Sequence, residues 1–130
     1  MILVDTSVWI DLLTARRGAA VPEEDLLQFV TCGPIVQEVL QGLRSGPRSD
    51  GFREAFLAVP VLSDPIPLRL FLFAADIYRQ GRRRGVTIRS SVDCLIAAIA
   101  IDQSVPVWHR GRDFTAIARY TTLGIAGQRR

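Results

Sequence analysis

Between residues 1 and 125, short β-favouring apolar runs alternate with longer stretches of helical periodicity, and this alternation most narrows the folds open to the chain. Strand, helix and parallel strand form the unit of α/β proteins, so the pattern predicts an α/β fold with a central parallel sheet and helices on both faces. Residues 1–4 are an apolar run long enough only for a buried strand. Residues 30–32, 59–62 and 105–108 read as further strands, and 121–125 is a candidate for the last. Pro60 cannot donate to a ladder, which sends 59–62 to a sheet edge.

The intervening segments carry helix signals. Thr6 or Ser7 is expected to cap the first helix, whose apolar stripe is Val8, Trp9, Leu12 and Leu13. Pro22-Glu23-Glu24-Asp25 puts proline in a first turn and acids at the positive end of the helix dipole, predicting a helix that runs on into Leu26, Leu27, Phe29 and Val30. Pro34 opens a helix through Ile35, Val36, Val39, Leu40 and Leu43, and Ser49 or Asp50 caps one through Phe52, Ala55, Phe56 and Leu57. Residues 68–83 form a long helix stopped by Gly85. Ser90 or Ser91 caps residues 92–101, a helix apolar almost all round and therefore buried, and residues 112–120 make a last short helix.

A chain of 130 residues suits one domain, spanning 1–130, with a proper core. No positively charged segment precedes the apolar start, and no apolar run approaches the roughly 18 residues of a membrane span, so a cytoplasmic protein with no membrane partner is expected. Cys32 and Cys94 lack metal-ligand spacing and read as buried small hydrophobes. His109 has no histidine or cysteine nearby to complete a zinc site, which argues against zinc chemistry. Lys+Arg exceed Asp+Glu by 16 to 13, and every one of the sixteen is arginine, the side chain best shaped for phosphate. The densest group, Arg79, Arg82, Arg83, Arg84 and Arg89, reads either as a nucleic-acid contact or as a solvated helix end favoured by the dipole.

Four acids occupy positions that need a reason. Asp5 ends the first strand, and Glu38 is the sole acid on an otherwise apolar helix. Asp93 lies in the first turn of the buried helix, and Asp113 follows the strand at 105–108. Each alone can be a helix cap or a dipole acid. Together, at the ends of elements of one apolar fold, they ask for a shared cation, because charges are seldom buried unpaired. Oxygen-only ligation suits Mg²⁺ or Mn²⁺ and is a poor match for Zn²⁺ or Cu²⁺.

Four stretches then carry a family likeness: Met1-Ile2-Leu3-Val4-Asp5-Thr6-Ser7-Val8-Trp9, Pro34-Ile35-Val36-Gln37-Glu38-Val39-Leu40-Gln41-Gly42, Arg89-Ser90-Ser91-Val92-Asp93-Cys94-Leu95-Ile96-Ala97-Ala98 and His109-Arg110-Gly111-Arg112-Asp113-Phe114. In this order they resemble a PIN-domain ribonuclease of the VapC kind, the toxin of a VapBC toxin–antitoxin pair. The resemblance implies a three-layer α/β/α fold around a parallel sheet. It also implies Mg²⁺-dependent endonucleolytic cleavage of cellular RNA, tRNA or rRNA, and inhibition by a VapB-type antitoxin in a homodimer or a larger toxin–antitoxin assembly. The matching positions make Asp5 and Asp93 the main metal ligands, Glu38 an additional acid of the pocket and Asp113 the fourth. Thr6, Ser7 and Ser90 are then candidates to hydrogen-bond a water or a phosphate, and Arg82, Arg83, Arg84 and Arg89 to grip flanking phosphates.

One departure stands out. Many members carry a second acid two residues before the Asp-Phe pair, where this chain has Gly111. That keeps open an alternative, a catalytically weak PIN-fold module that binds RNA. A haloacid-dehalogenase-like phosphatase also begins with a strand ending in aspartate, but its motif needs a second aspartate two residues on, where Ser7 stands.

Overall fold

The computed structural model describes residues 1–14 and 23–127. Its sheet has four strands, β1 (Ile2–Val4), β2 (Phe29–Cys32), β3 (Val61–Leu62) and β4 (Val107–Trp108), in the order β3-β2-β1-β4. Every pairing is parallel, with Leu3 opposite both Val30 and Val107. A strand with parallel neighbours on both sides and helices over the sheet has no wet face, which is why β1 is uniformly apolar. The expected α/β/α architecture with a central parallel sheet is what the chain adopts. As Pro60 required, β3 lies at the edge, and the carbonyl of Pro60 accepts the Thr31 amide at 2.9 Å.

The helices are α1 (Thr6–Thr14), α2 (Glu23–Leu26), α3 (Gly33–Gln41), α4 (Pro47–Leu57), α5 (Leu68–Arg83), α6 (Ser91–Gln103) and α7 (Asp113–Ala118). Two match the sequence reading closely. α5 ends just before Gly85, whose φ of 76° is the left-handed conformation glycine adopts freely, and α6 buries Cys94 and every residue from Ile96 to Ala100.

Others depart from it. The acid-rich α2 is one turn long, and Phe29 and Val30 belong to β2 instead of a continuing helix; Pro22 lies outside the described residues. Parallel pairing with β1 outweighs the helix-start signal there, and the Phe29 ring meets Trp9 and Trp108 edge-on, each at 5.7 Å. α4 starts at Pro47, after Gly46 at φ 141°, so Ser49 and Asp50 lie inside its first turn and do not cap it. α6 runs two residues beyond the expected end, and α7 is shorter than the segment 112–120. Residues 121–125 form no strand, only a single bridge between Ile125 and Val107. The Thr121 hydroxyl donates to the Ile117 carbonyl at 2.8 Å and accepts the Leu123 amide at 3.2 Å, local bonds that compete with a ladder. Among the described residues no helix is long and apolar enough to cross a membrane.

Packing is centred on α6, which α5 covers along its length. At Gly81 of α5 there is no room for a side chain: an added Cβ would lie 2.6 Å from the Tyr120 hydroxyl and 3.3 Å from the Val86 carbonyl. That hydroxyl is itself held, donating to the Ile77 carbonyl at 2.8 Å. Gly51 of α4 meets nothing within 4 Å. Gly81→Ala is therefore expected to destabilise the protein by about 1–3 kcal/mol through overpacking. Gly51→Ala should be neutral or stabilising by up to about 1 kcal/mol through helix propensity. Urea unfolding of the two variants measures both, and equal effects would show that the Tyr120 contact yields freely.

Candidate active site

Asp5 is the residue at which β1 turns into α1. Its amide still pairs with β4, donating to the Trp108 carbonyl at 2.9 Å, while its own carbonyl accepts the amides of Val8 and Trp9 at 3.0 and 3.1 Å. Asp5 thus occupies the capping position expected of Thr6 or Ser7, and those two hydroxyls are directed elsewhere. Ser7 Oγ donates to Asp5 Oδ2 at 2.9 Å, and Thr6 Oγ1 donates to Glu38 Oε1 at 3.0 Å. The Asp5 residue is only 8% exposed, so a hydrogen bond to its carboxylate offsets part of the cost of keeping it there.

Glu38 is half-buried on α3, which packs against α1. Cys32, at the end of β2, reports on both acids: its thiol is pushed up to about 12 by burial, and the charges of Asp5 and Glu38 add to the rise. Both cysteines are buried and free, as expected of small hydrophobes. Asp93 sits one turn into α6, its amide bonded to the Ser90 carbonyl at 3.1 Å. Burial pushes its carboxyl up to about 8, helped by a hydrogen bond shared with Asp113 and by the negative charges of Asp5, Asp113 and Glu38. Asp113, at the start of α7, is anchored by two backbone amides, Arg89 N at 3.2 Å and Ser90 N at 3.1 Å.

The structure brings the four acids into one electrostatic neighbourhood, with Thr6 and Ser7 as the groups that orient two of them. Ser90 stands at the N-cap of α6, but its hydroxyl makes no capping bond, and it is the amide that serves the site. The arginines divide. Arg89 lends its backbone to Asp113, whereas Arg82 and Arg84 lie over the rings of Tyr78 and Tyr120, at 5.9 and 5.7 Å. Arg82, Arg83 and Arg84 are exposed at the end of α5.

Two neighbours of the site escaped the sequence reading. The Arg110 amide donates to Ser7 Oγ at 3.3 Å, and its guanidinium forms an ion pair with Asp11 of α1. The His109 ring lies tilted against Phe114, with centroids 5.2 Å apart, and burial lowers its pKa. The Ser7–Arg110 bond spans 103 positions, so no local pattern could have revealed it.

Among the described residues no three carboxylate, thiol or imidazole groups close on one point as a finished metal cage. The donor chemistry nonetheless fits a hard cation. Mg²⁺ binds through one or two carboxylates plus waters and substrate phosphates and does not require a full protein shell. A carboxyl held near 8 by other carboxyls is also the charge imbalance that a cation relieves.

The PIN domain family model matches residues 2–120. The chain belongs to the PIN-domain family. Within it, the chain is 38% identical to VapC ribonuclease Mb1587 of Mycobacterium bovis and equally to Ribonuclease VapC11 of Mycobacterium tuberculosis, over 99% of this chain and 100% of each relative. This identity over the full length makes it a VapC-type PIN domain. Among solved structures it is similar to VapBC2 from Rickettsia felis bound to a DNA fragment from their promoter, with a TM-score of 0.72 at 14% identity, covering 96% of this chain and 97% of that one. VapBC-1 from nontypeable Haemophilus influenzae aligns with a TM-score of 0.67 at 18% identity, covering 96% of each chain. At those identities the likeness speaks for the PIN fold. VapC nucleases with PIN domains generally depend on a divalent metal.

Proposed function

We propose that residues 1–130 act as a single PIN domain and that this domain is the ribonuclease toxin of a VapBC-type pair. It hydrolyses phosphodiester bonds of cellular RNA, with tRNA or rRNA as the expected target, using Mg²⁺ or Mn²⁺ held by Asp5, Glu38, Asp93 and Asp113. The observation that carries the reading is the state of Asp93, whose carboxyl is raised by burial and by three other acids drawn from separate stretches of the chain. Such a convergence is costly to fold, and a bound cation would offset the cost. The likeness to VapC ribonucleases over the full length points to the same chemistry.

A bound divalent cation would supply positive charge to the scissile phosphate and make water a stronger nucleophile at neutral pH. The chain's residues do the rest. Asp5 and Asp93, from the end of β1 and the start of α6, would be the main residues to hold the cation. Ser7 fixes the Asp5 carboxylate and Thr6 fixes Glu38, so two of the four acids face the substrate already oriented. Asp113 hydrogen-bonds Asp93 and ties the 89–90 backbone to the pocket, the corner where Gly111 removes the further acid common in relatives. Without a cation this set repels a phosphate, so a metal held there would make RNA binding possible.

A cognate VapB-type antitoxin is the proposed partner, in a homodimer or larger assembly, and the cytoplasm is the proposed location. The test is cleavage of labelled RNA by purified protein. We expect cutting with Mg²⁺ and none in EDTA, with activity restored by added Mg²⁺ and suppressed by the antitoxin encoded beside it. RNA bound but left intact in Mg²⁺ would favour the alternative of a weak PIN-fold RNA-binding module, the reading that Gly111 keeps in play.

A further inference from the structure

The acid pocket needs a counterpart that holds RNA against it, and of the arginines singled out by density along the chain Arg89 meets the pocket through its backbone amide, which donates to Asp113 Oδ1 at 3.2 Å. Arg82 and Arg84 are engaged with tyrosine rings at the end of α5. Arg110 is placed differently. Its amide donates to Ser7 Oγ at 3.3 Å, and the same hydroxyl donates to Asp5 Oδ2 at 2.9 Å, so its backbone lies two hydrogen bonds from a proposed metal ligand. Its Nε pairs with Asp11, on α1, the helix that Asp5 caps. Both partners are half exposed, at 54% and 50% of the side chain. The next residue, Gly111, has open space where a side chain would stand, which leaves the approach over this loop clear.

We propose that Arg110 is a substrate-binding residue that grips an RNA phosphate next to the scissile bond, and that Asp11 is the resident counter-ion which this phosphate displaces. The proposal rests on the ribonuclease reading above. A guanidinium pairs with phosphate through two parallel hydrogen bonds, and an ion pair exposed to water is weak enough to be exchanged for a better one. Phosphate carries the sequence-independent part of RNA affinity, and a cation fixed at the rim of an acidic pocket draws in a backbone that the acids alone repel. The Ser7 bond adds registration. The hydroxyl that orients Asp5 also fixes where Arg110 starts, so the phosphate grip and the metal ligand keep a constant spacing.

The test is binding of a fluorescein-labelled single-stranded RNA of mixed sequence, read by anisotropy across a salt series with Ca²⁺ in place of Mg²⁺, so that the acids keep a hard cation while cutting is held back. Arg110→Gln should weaken binding about five- to tenfold and reduce the slope of log affinity against log salt by about 0.7, the value for one phosphate contact on a single strand. Asp11→Asn should leave binding as tight or tighter, because it removes the competitor of the phosphate. With Mg²⁺ restored, Arg110→Gln should raise KM and leave kcat within about twofold, the sign of binding shared by ground and transition states. If both variants weaken binding equally, keep the wild-type salt slope and lower Tm alike, the ion pair is a structural clasp and the proposal is overturned. Wild-type protein that neither binds nor cuts RNA would instead overturn the ribonuclease reading, and this proposal with it.

Discussion

Asp93→Asn is expected to abolish RNA cleavage, by at least about a hundredfold, and at the same time to make the metal-free protein more resistant to unfolding at pH 8. The loss follows from removing one of the two carboxylates that hold the cation, whose stabilisation of transition-state charge is worth several kcal/mol. The gain follows from the position of Asp93. Its carboxyl is raised from 3.8 to about 8 by burial, by the hydrogen bond with Asp113 and by the charges of Asp5, Asp113 and Glu38. A group whose folded value lies above its unfolded one contributes stability that is fully present below the unfolded value and is lost as pH rises through the folded one. The wild-type protein in EDTA should therefore lose stability from about pH 4 to 8, a loss the asparagine variant is spared. Thermal melts in EDTA at pH 5 and pH 8 should show the advantage of the variant growing with pH. Added Mg²⁺ at pH 8 should raise the wild-type melting temperature and leave that of the variant where it was. Asp5→Asn should be as inactive as Asp93→Asn. A variant at either position that cuts at the wild-type rate would remove that residue from the metal site.

Mg²⁺ affinity should climb steeply with pH. A cation that binds Asp93 must displace the proton the carboxyl retains below about pH 8, so each unit of pH below that value costs about tenfold in apparent affinity. Between pH 6 and pH 8 the expected change is about a hundredfold, levelling above 8. Calorimetric titration in two buffers of different ionisation enthalpy should show close to one proton released per ion bound at pH 6. An affinity flat across that range, with no proton released, would mean that the ion does not bind at Asp93. RNA cleavage at limiting Mg²⁺ should follow the same curve, which separates a metal-loading effect from one on the chemical step, since the latter would persist at saturating Mg²⁺.

Much of this architecture could be read from the chain because its strongest signals are redundant. The segment that became α5 carries both an apolar stripe and a glycine stop, and α6 is apolar on every side, so any packing that covers it must treat it as the core. Signals that compete were harder to read. Pro22 to Asp25 speak for a helix as clearly as Pro34 does, yet Phe29 and Val30 joined β2, because pairing with β1 and the aromatic contacts with Trp9 and Trp108 are tertiary and leave no trace in a short window. The acids were legible for a different reason. A carboxylate at the end of an element in an apolar fold is conspicuous, and although Asp5, Glu38, Asp93 and Asp113 each had a bland reading alone, the four together asked for a cation. What could not be read was the support around them. Thr6 and Ser7 looked like caps, but Asp5 itself takes that role and frees both hydroxyls to orient carboxylates. Arg110 carried no signal of its own in the sequence, and only the fold brings it beside Ser7 and Asp11.

The strand order has a consequence for when a newly made chain becomes dangerous to the cell that makes it. β1 is synthesised first yet lies inside the sheet, between β2 and β4, and the Asp5 amide finds its partner on Trp108. Asp113, which hydrogen-bonds Asp93 and anchors residues 89 and 90, comes later still. A ribosome that has emitted only the first three acids has produced a polypeptide whose central strand lacks one neighbour and whose pocket lacks a wall. Contacts between such distant positions form late in folding as well as late in translation. Nuclease competence should therefore arrive abruptly, near the end of synthesis, and prematurely terminated products should be inert, which gives an inhibitor made alongside the chain time to be present before its target exists.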